Sequence, residues 1–143
     1  MSNDVYIVAY EGDDRSVIDY AAKRATGDGA SLHVVHVLEW SPYSFLTPEE
    51  IEERHVRRRE EMTRAHALVM DPVLKDLSAM GVKADGEIRY GSVVDLLIEI
   101  ATDQKAEMIF VGRSSASTLT TRVFGSVPIG LAQAAPVPVV IVP

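Results

Sequence analysis

The chain has 143 residues, 47% of them hydrophobic and 24% charged, the balance of one ordinary globular domain rather than of a disordered or coiled-coil segment. A net charge of −7 argues against a general polyanion-binding surface, so nucleic acid is not an expected partner. The absence of cysteine excludes a disulfide framework, a thiolate zinc site and a cysteine nucleophile, and it fits a reducing cytoplasm.

The opening residues lack a basic region and a long apolar stretch, so no signal peptide is expected. Val5 to Ala9 is an apolar, β-branched run, the pattern of a strand buried on both faces. Glu11-Gly12-Asp13-Asp14 interrupts it. Asp13 or Asp14 then caps a helix reaching about Thr26, with Val17, Ile18, Ala21, Ala22 and Ala25 at helical spacing. The second strand spans Leu32 to Leu38. Thr47-Pro48-Glu49-Glu50 starts a long helix: Thr47 is its cap, Pro48 takes the first turn and Glu50 completes a capping box. Gly81 ends that helix near Met80, and Pro72 kinks or divides it.

The third strand spans Val82 to Arg89, and Ser92 caps the helix that follows. Met108 to Val111 is the fourth strand, and a glycine-, serine- and threonine-rich loop runs from Gly112 to Gly125. A short helix from about Ser126 to Ala134 leads into the last strand, Val137 to Val142. Val123 to Pro143 carries no Asp, Glu, Lys or Arg, but its four prolines and two glycines fit a short helix and a buried strand better than a membrane span. This strand–helix alternation predicts an α/β single domain over residues 1–143 built on a parallel sheet with helices on both faces.

Ligands of such sheets sit beyond the carboxyl ends of the strands. The most informative segment there is the loop Gly112-Arg113-Ser114-Ser115, nine residues, then Gly125-Ser126. It joins a strand to a helix N-terminus, where backbone N–H groups and the helix dipole favour phosphate. Arg113 and Arg122 add positive charge. The plain alternative is that the glycines only make turns and Ser126 only caps a helix. There is no P-loop and no G-x-G-x-x-G. No aspartate lies beyond Asp103 and no histidine beyond His66, so a nucleophile-elbow triad in its usual order is impossible. No catalytic residue and no metal site is therefore nominated. His33 and His36 point to opposite faces of their strand. His55 and His66 share a helix face but stand roughly 16 Å apart, and read as partly buried or interface residues. Trp40 and Tyr43 read as a packed loop cover.

The whole chain resembles the universal stress protein family. The resemblance rests on Val5–Ala9 and its acidic turn, Leu32 to Val37, Ile88-Arg89-Tyr90-Gly91, Ile109 to Arg113, and Gly125-Ser126-Val127 leading to Ala135-Pro136-Val137-Pro138-Val139-Val140. It implies a five-stranded parallel sheet of order 3-2-1-4-5, of the Rossmann-like, adenine nucleotide alpha hydrolase-like kind. It further implies a small cytoplasmic regulator that binds ATP, ADP or AMP, with Mg2+ as an accompanying ion, and at most a slow hydrolysis of ATP. Tyr10, Glu11 and Val37 would meet the base side, and Gly112, Arg113, Ser115, Gly125, Ser126 and Val127 the phosphate side. Ser115, Glu11 and Pro128 stand where nucleotide-binding members carry glycine, aspartate and a hydroxyl residue. A homodimer through the edge strand 137–142 and an unidentified regulated protein partner are also implied. The alternative is a nucleotide-free dimeric interaction module with a degenerate phosphate loop.

Overall fold

A computed structural model describes residues 3–38, 47–113 and 126–143. Five strands form one parallel sheet: β1 (Val5–Ala9), β2 (Ser31–Leu38), β3 (Ala84–Tyr90), β4 (Met108–Gly112) and β5 (Val139–Val142). Their order is β3-β2-β1-β4-β5, as expected. The helices are α1 (Ser16–Asp28), α2 (Pro48–Ala65), α3 (Asp71–Ala79), α4 (Val93–Gln104) and α5 (Ser126–Ala134).

Alternation along β1 explains why its sequence is almost continuously apolar. Tyr6 and Val8 pack on the face covered by α1 and α3, with Ile18, Ala21, Val73 and Leu77. Ile7 packs on the opposite face, under Leu97 and Ile100 of α4 and Leu131 of α5. Both faces of the central strands are thus removed from water, the normal state of a parallel sheet. No described helix is long and apolar enough to cross a membrane.

The element boundaries differ from the sequence reading where backbone hydrogen bonds decide them. Asp14, not Asp13, receives the Ser16 N–H (2.9 Å), and α1 continues through Gly27 and Asp28. The Val82 N–H closes the end of α3 on the Leu77 carbonyl, so β3 starts at Ala84 rather than Val82. Ser92 occupies the position before α4, but its hydroxyl makes no capping bond. The last strand begins at Val139 rather than Val137, because Pro138 has no N–H for the ladder and only its carbonyl pairs, with Ile109 (3.0 Å). The capping box at Thr47 and Glu50 forms on both sides.

The long helix is divided as its proline predicts, in a specific way. A π-helical turn, His66–Met70, separates α2 from α3, and the Asp71 N–H reaches back five residues to the His66 carbonyl. Pro72 cannot donate to the carbonyl four residues before it, and its ring crowds that carbonyl. Widening the preceding turn relieves the conflict without breaking the helix. The turn aims Met70 at Gly86 of β3. A Cβ at Gly86 would collide with the Met70 sulfur and lie 2.9 Å from the Val34 carbonyl oxygen, so a side chain at 86 would push both aside.

The expectation that His55 and His66 are partly buried within the chain is not met. Both are exposed: His55 lies on α2 and His66 opens the π-helical turn, while α2 meets the domain through Ala65, part of Met62 and the Tyr90 hydroxyl, which donates to the Arg58 carbonyl (3.0 Å). His33 and His36 do face opposite sides of β2, and both are buried. His33 Nδ1 lies 2.7 Å from Asp85 and Nε2 2.8 Å from Glu87, which ties β2 to the edge strand β3. Trp40 and Tyr43 lie outside the described residues.

Tyr6 gives the fold a readable pH dependence. Its hydroxyl donates to Asp28 (2.5 Å), which, together with burial, raises its pKa from 10.0 to about 12. The folded chain therefore holds a proton that the unfolded chain releases between those values. This stabilisation is complete below pH 10 and is lost as the pH rises towards 12. The urea midpoint of the wild-type chain is expected to fall across that window more steeply than that of Tyr6→Phe; parallel curves would contradict the assignment.

Candidate functional site

At the carboxyl edge of the sheet, β1 sends its connection to β2 on one side while β4 lies on the other. This is the topological switch point of an open α/β sheet. A cavity of about 410 Å³ opens there. Its apolar side comes from strand ends and helix starts, including Val37, Val111, Val142, Val93 and Val127. Its polar rim comes from Glu11, Asp13 and Asp14 of the turn after β1 and from Arg113 after β4.

Of the residues nominated from sequence, Tyr10, Glu11, Val37, Gly112, Arg113 and Val127 line this one cavity. They come from four separate segments of the chain. Ser126 is exposed and opens α5 beside Val127. Ser115 and Gly125 lie outside the described residues, as do Ser114 and Arg122.

The backbone bookkeeping at the rim refines these roles. The Tyr10 N–H bonds the Val35 carbonyl (2.9 Å) and its carbonyl accepts from His36 (2.7 Å). Its hydroxyl accepts from Arg15 Nε (2.9 Å), and Arg15 in turn pairs with Asp76 (2.9 Å). Both backbone groups of Tyr10 are thus engaged within the protein, and its hydroxyl oxygen is anchored by Arg15, so the side chain helps to shape the cavity. The Arg113 N–H bonds the Val142 carbonyl (2.8 Å), so the guanidinium is what Arg113 offers to an anion. Asp14 is held below the ordinary carboxylate range, first by the Ser16 backbone N–H and then by the Ser16 hydroxyl. It therefore stays ionised at the start of α1, where it complements the helix dipole.

Sequence reasoning missed Asp13, Asp14, Ser16 and Val17 as cavity residues. The signal was present, since the turn after the first strand was already marked as a ligand-side position. Asp13 and Asp14 had been assigned to helix capping and Val17 to the helix's apolar face, and residues at a helix start can also face a cleft.

A profile of the universal stress protein family matches residues 7–143. A universal stress protein of Mycobacterium tuberculosis is 40% identical over 52 residues, a stretch amounting to 36% of this chain and 36% of that protein. The matched stretch thus spans about a third of that relative's length. A universal stress protein crystallised in complex with cAMP superposes with a TM-score of 0.68 at 23% identity, covering 99% of this chain and 98% of the other. The universal stress protein from Archaeoglobus fulgidus in complex with dAMP superposes with a TM-score of 0.64 at 18% identity, over 99% and 98% of the two chains. At these identities the likeness of structure speaks for the fold.

Proposed function

The chain belongs to the universal stress protein family, and we propose that it binds an adenine nucleotide in the cavity between the ends of β1 and β4, acting as a regulator with at most slow hydrolysis of ATP. The observation that carries this reading is the convergence of Glu11, Val37, Gly112, Arg113 and Val127 on one cavity at the switch point. The valines supply an apolar slot for a base. Glu11, in place of the family's aspartate, accepts from an exocyclic amino group. Arg113 and the start of α5 supply the positive side for phosphate. The complexes of two structural neighbours with cAMP and dAMP support an adenine ligand. ATP, ADP and AMP are all within this reading, with Mg2+ accompanying the longer phosphate chains.

The test is direct: the purified chain is denatured and the released small molecules are identified by mass spectrometry. An adenine nucleotide in near-stoichiometric amount supports the reading. The rival reading is a nucleotide-free interaction module, favoured by the three carboxylates that share the rim with Arg113. That rival predicts neither co-purifying nucleotide nor binding on titration.

The regulator is proposed to act in the cytoplasm as a homodimer that engages a further protein. β5 is one of the two edge strands of the sheet, and Ile141 on it is 45% exposed. An apolar edge left unpaired invites association, and a two-fold pairing of β5 with its copy closes it. Light scattering of the wild-type chain at micromolar concentration is expected to give the dimer mass. The double variant Val139→Lys, Ile141→Asp is expected to give monomer or aggregate. A wild-type monomer would exclude this interface.

A further inference from the structure

We propose that His36 is the positioning residue of the ligand turn: its Nδ1–H fixes the Tyr10 carbonyl, and through it sets where Glu11 stands at the cavity rim. The inference rests on the nucleotide reading above and names the device that holds its base-side contact in place.

The last ladder contact of this segment is the Tyr10 N–H to Val35. Beyond it the chain leaves the sheet and reverses at Gly12, whose φ is 107°. A carbonyl only accepts, so the His36 nitrogen facing Tyr10 must be the protonated one. The imidazole is 8% exposed and stands on the β2 face that also carries Leu32 and Val34. An aliphatic side chain would satisfy the packing there. What the imidazole adds is a donor under the turn. Gly12 shows how closely the turn is seated: a Cβ there would lie 3.2 Å from Val69 Cγ2 and 3.7 Å from His36 Cε1. Val69 belongs to the π-helical turn ahead of Pro72. The turn is thus held by a hydrogen bond from β2 and by packing from the divided helix, with Glu11 between the two anchors. Removing the donor leaves a shielded carbonyl unpaired, an unfavourable state that the turn can relieve only by moving.

The experiment compares wild type, His36→Phe, His36→Asn and His36→Gln as full chains. Phenylalanine keeps a ring of similar volume without a donor. Asparagine places an amide N–H near the Nδ1 position, whereas glutamine places it farther out. Two readouts are taken: the backbone amide resonances of residues 10–13 without ligand, and the affinity for AMP by calorimetry. The expected result is displaced resonances and at least tenfold weaker AMP binding in His36→Phe, with both restored in His36→Asn to within threefold of wild type. If His36→Phe fails to fold, the Asn and Gln variants decide: Asn is expected to bind AMP at least fivefold more tightly than Gln. Unmoved turn resonances in folded His36→Phe, unchanged AMP affinity despite a moved turn, or equal affinity of Asn and Gln would each overturn the proposal. A wild-type chain that binds no AMP while its turn still depends on His36 brings down the nucleotide reading, and the ligand role of His36 falls with it.

Discussion

The Phe110→Ala variant is expected to lose about 3–5 kcal/mol of folding stability, the range for removing a buried aromatic side chain. Phe110 lies on β4, is fully buried, and is the largest side chain so enclosed among the described residues. Its ring meets Tyr6 of β1 at 5.7 Å and Tyr20 of α1 at 6.0 Å between centroids. It therefore joins two strands and a helix at the centre of the sheet. The cavity left behind cannot collapse easily, because the neighbouring strands are fixed by their ladders. For a domain of this size the loss corresponds to a melting temperature about 10–17 °C lower. Leu68→Ala is the control, since Leu68 is 69% exposed, and a change within about 0.5 kcal/mol is expected there. Similar urea midpoints for the two variants would contradict this account of the core.

Gly125→Val is expected to abolish nucleotide binding, by a factor of a hundred or more, with little change in stability. Gly125 directly precedes Ser126, the first residue of α5. The free N–H groups of a helix start are available to phosphate only where the preceding backbone can come close. A branched side chain at 125 would hold phosphate oxygens off that backbone. Ser115→Gly is the complementary change, since Ser115 stands where nucleotide-binding members of the family carry glycine, and it should preserve or improve affinity. Equal affinities for wild type and Gly125→Val, with both chains folded, would place the phosphates elsewhere. Loss of the folded state in Gly125→Val would make the glycine a structural residue.

How much of this could be read from sequence depends on the range of the interactions involved. The sheet was legible because its signals are mostly local: β1, β4 and β5 are short apolar runs, β2 is largely so, and a helix follows each of the first four strands. The capping box at Thr47 formed for the same reason. Pro72 announced a disturbance, but whether the helix would kink, stop or widen depended on how Met70 and Val69 meet Gly86 and Gly12, and those contacts bridge distant segments. The histidines divide along the same line. The three-residue spacing placed His33 and His36 on opposite faces, whereas the meeting of His33 with Asp85 and Glu87 is set by the register of β2 on β3. His55 and His66 were placed on one helix face, and neither is among the residues through which that helix meets the domain, which include Met62, Ala65 and Arg58. At the site, the residues were nominated by position near the strand ends and by the family resemblance, and six of them do share one cavity. Which of their polar groups are already engaged was invisible, since the partners of Tyr10 and Arg113 lie on other strands and helices.

The central claim is that the cavity at the switch point holds an adenine nucleotide, and calorimetric titration of the full chain tests it most directly. ATP, ADP and AMP are titrated in turn, with and without Mg2+, alongside thermal shift at the same concentrations. The account predicts one site per chain with a dissociation constant in the micromolar range for at least one of the three, on the order of −7 to −8 kcal/mol. It also predicts a matching rise in melting temperature, because a ligand bound only by the folded state stabilises that state. A folded chain that gives no heat and no thermal shift at millimolar concentration of all three nucleotides would contradict it.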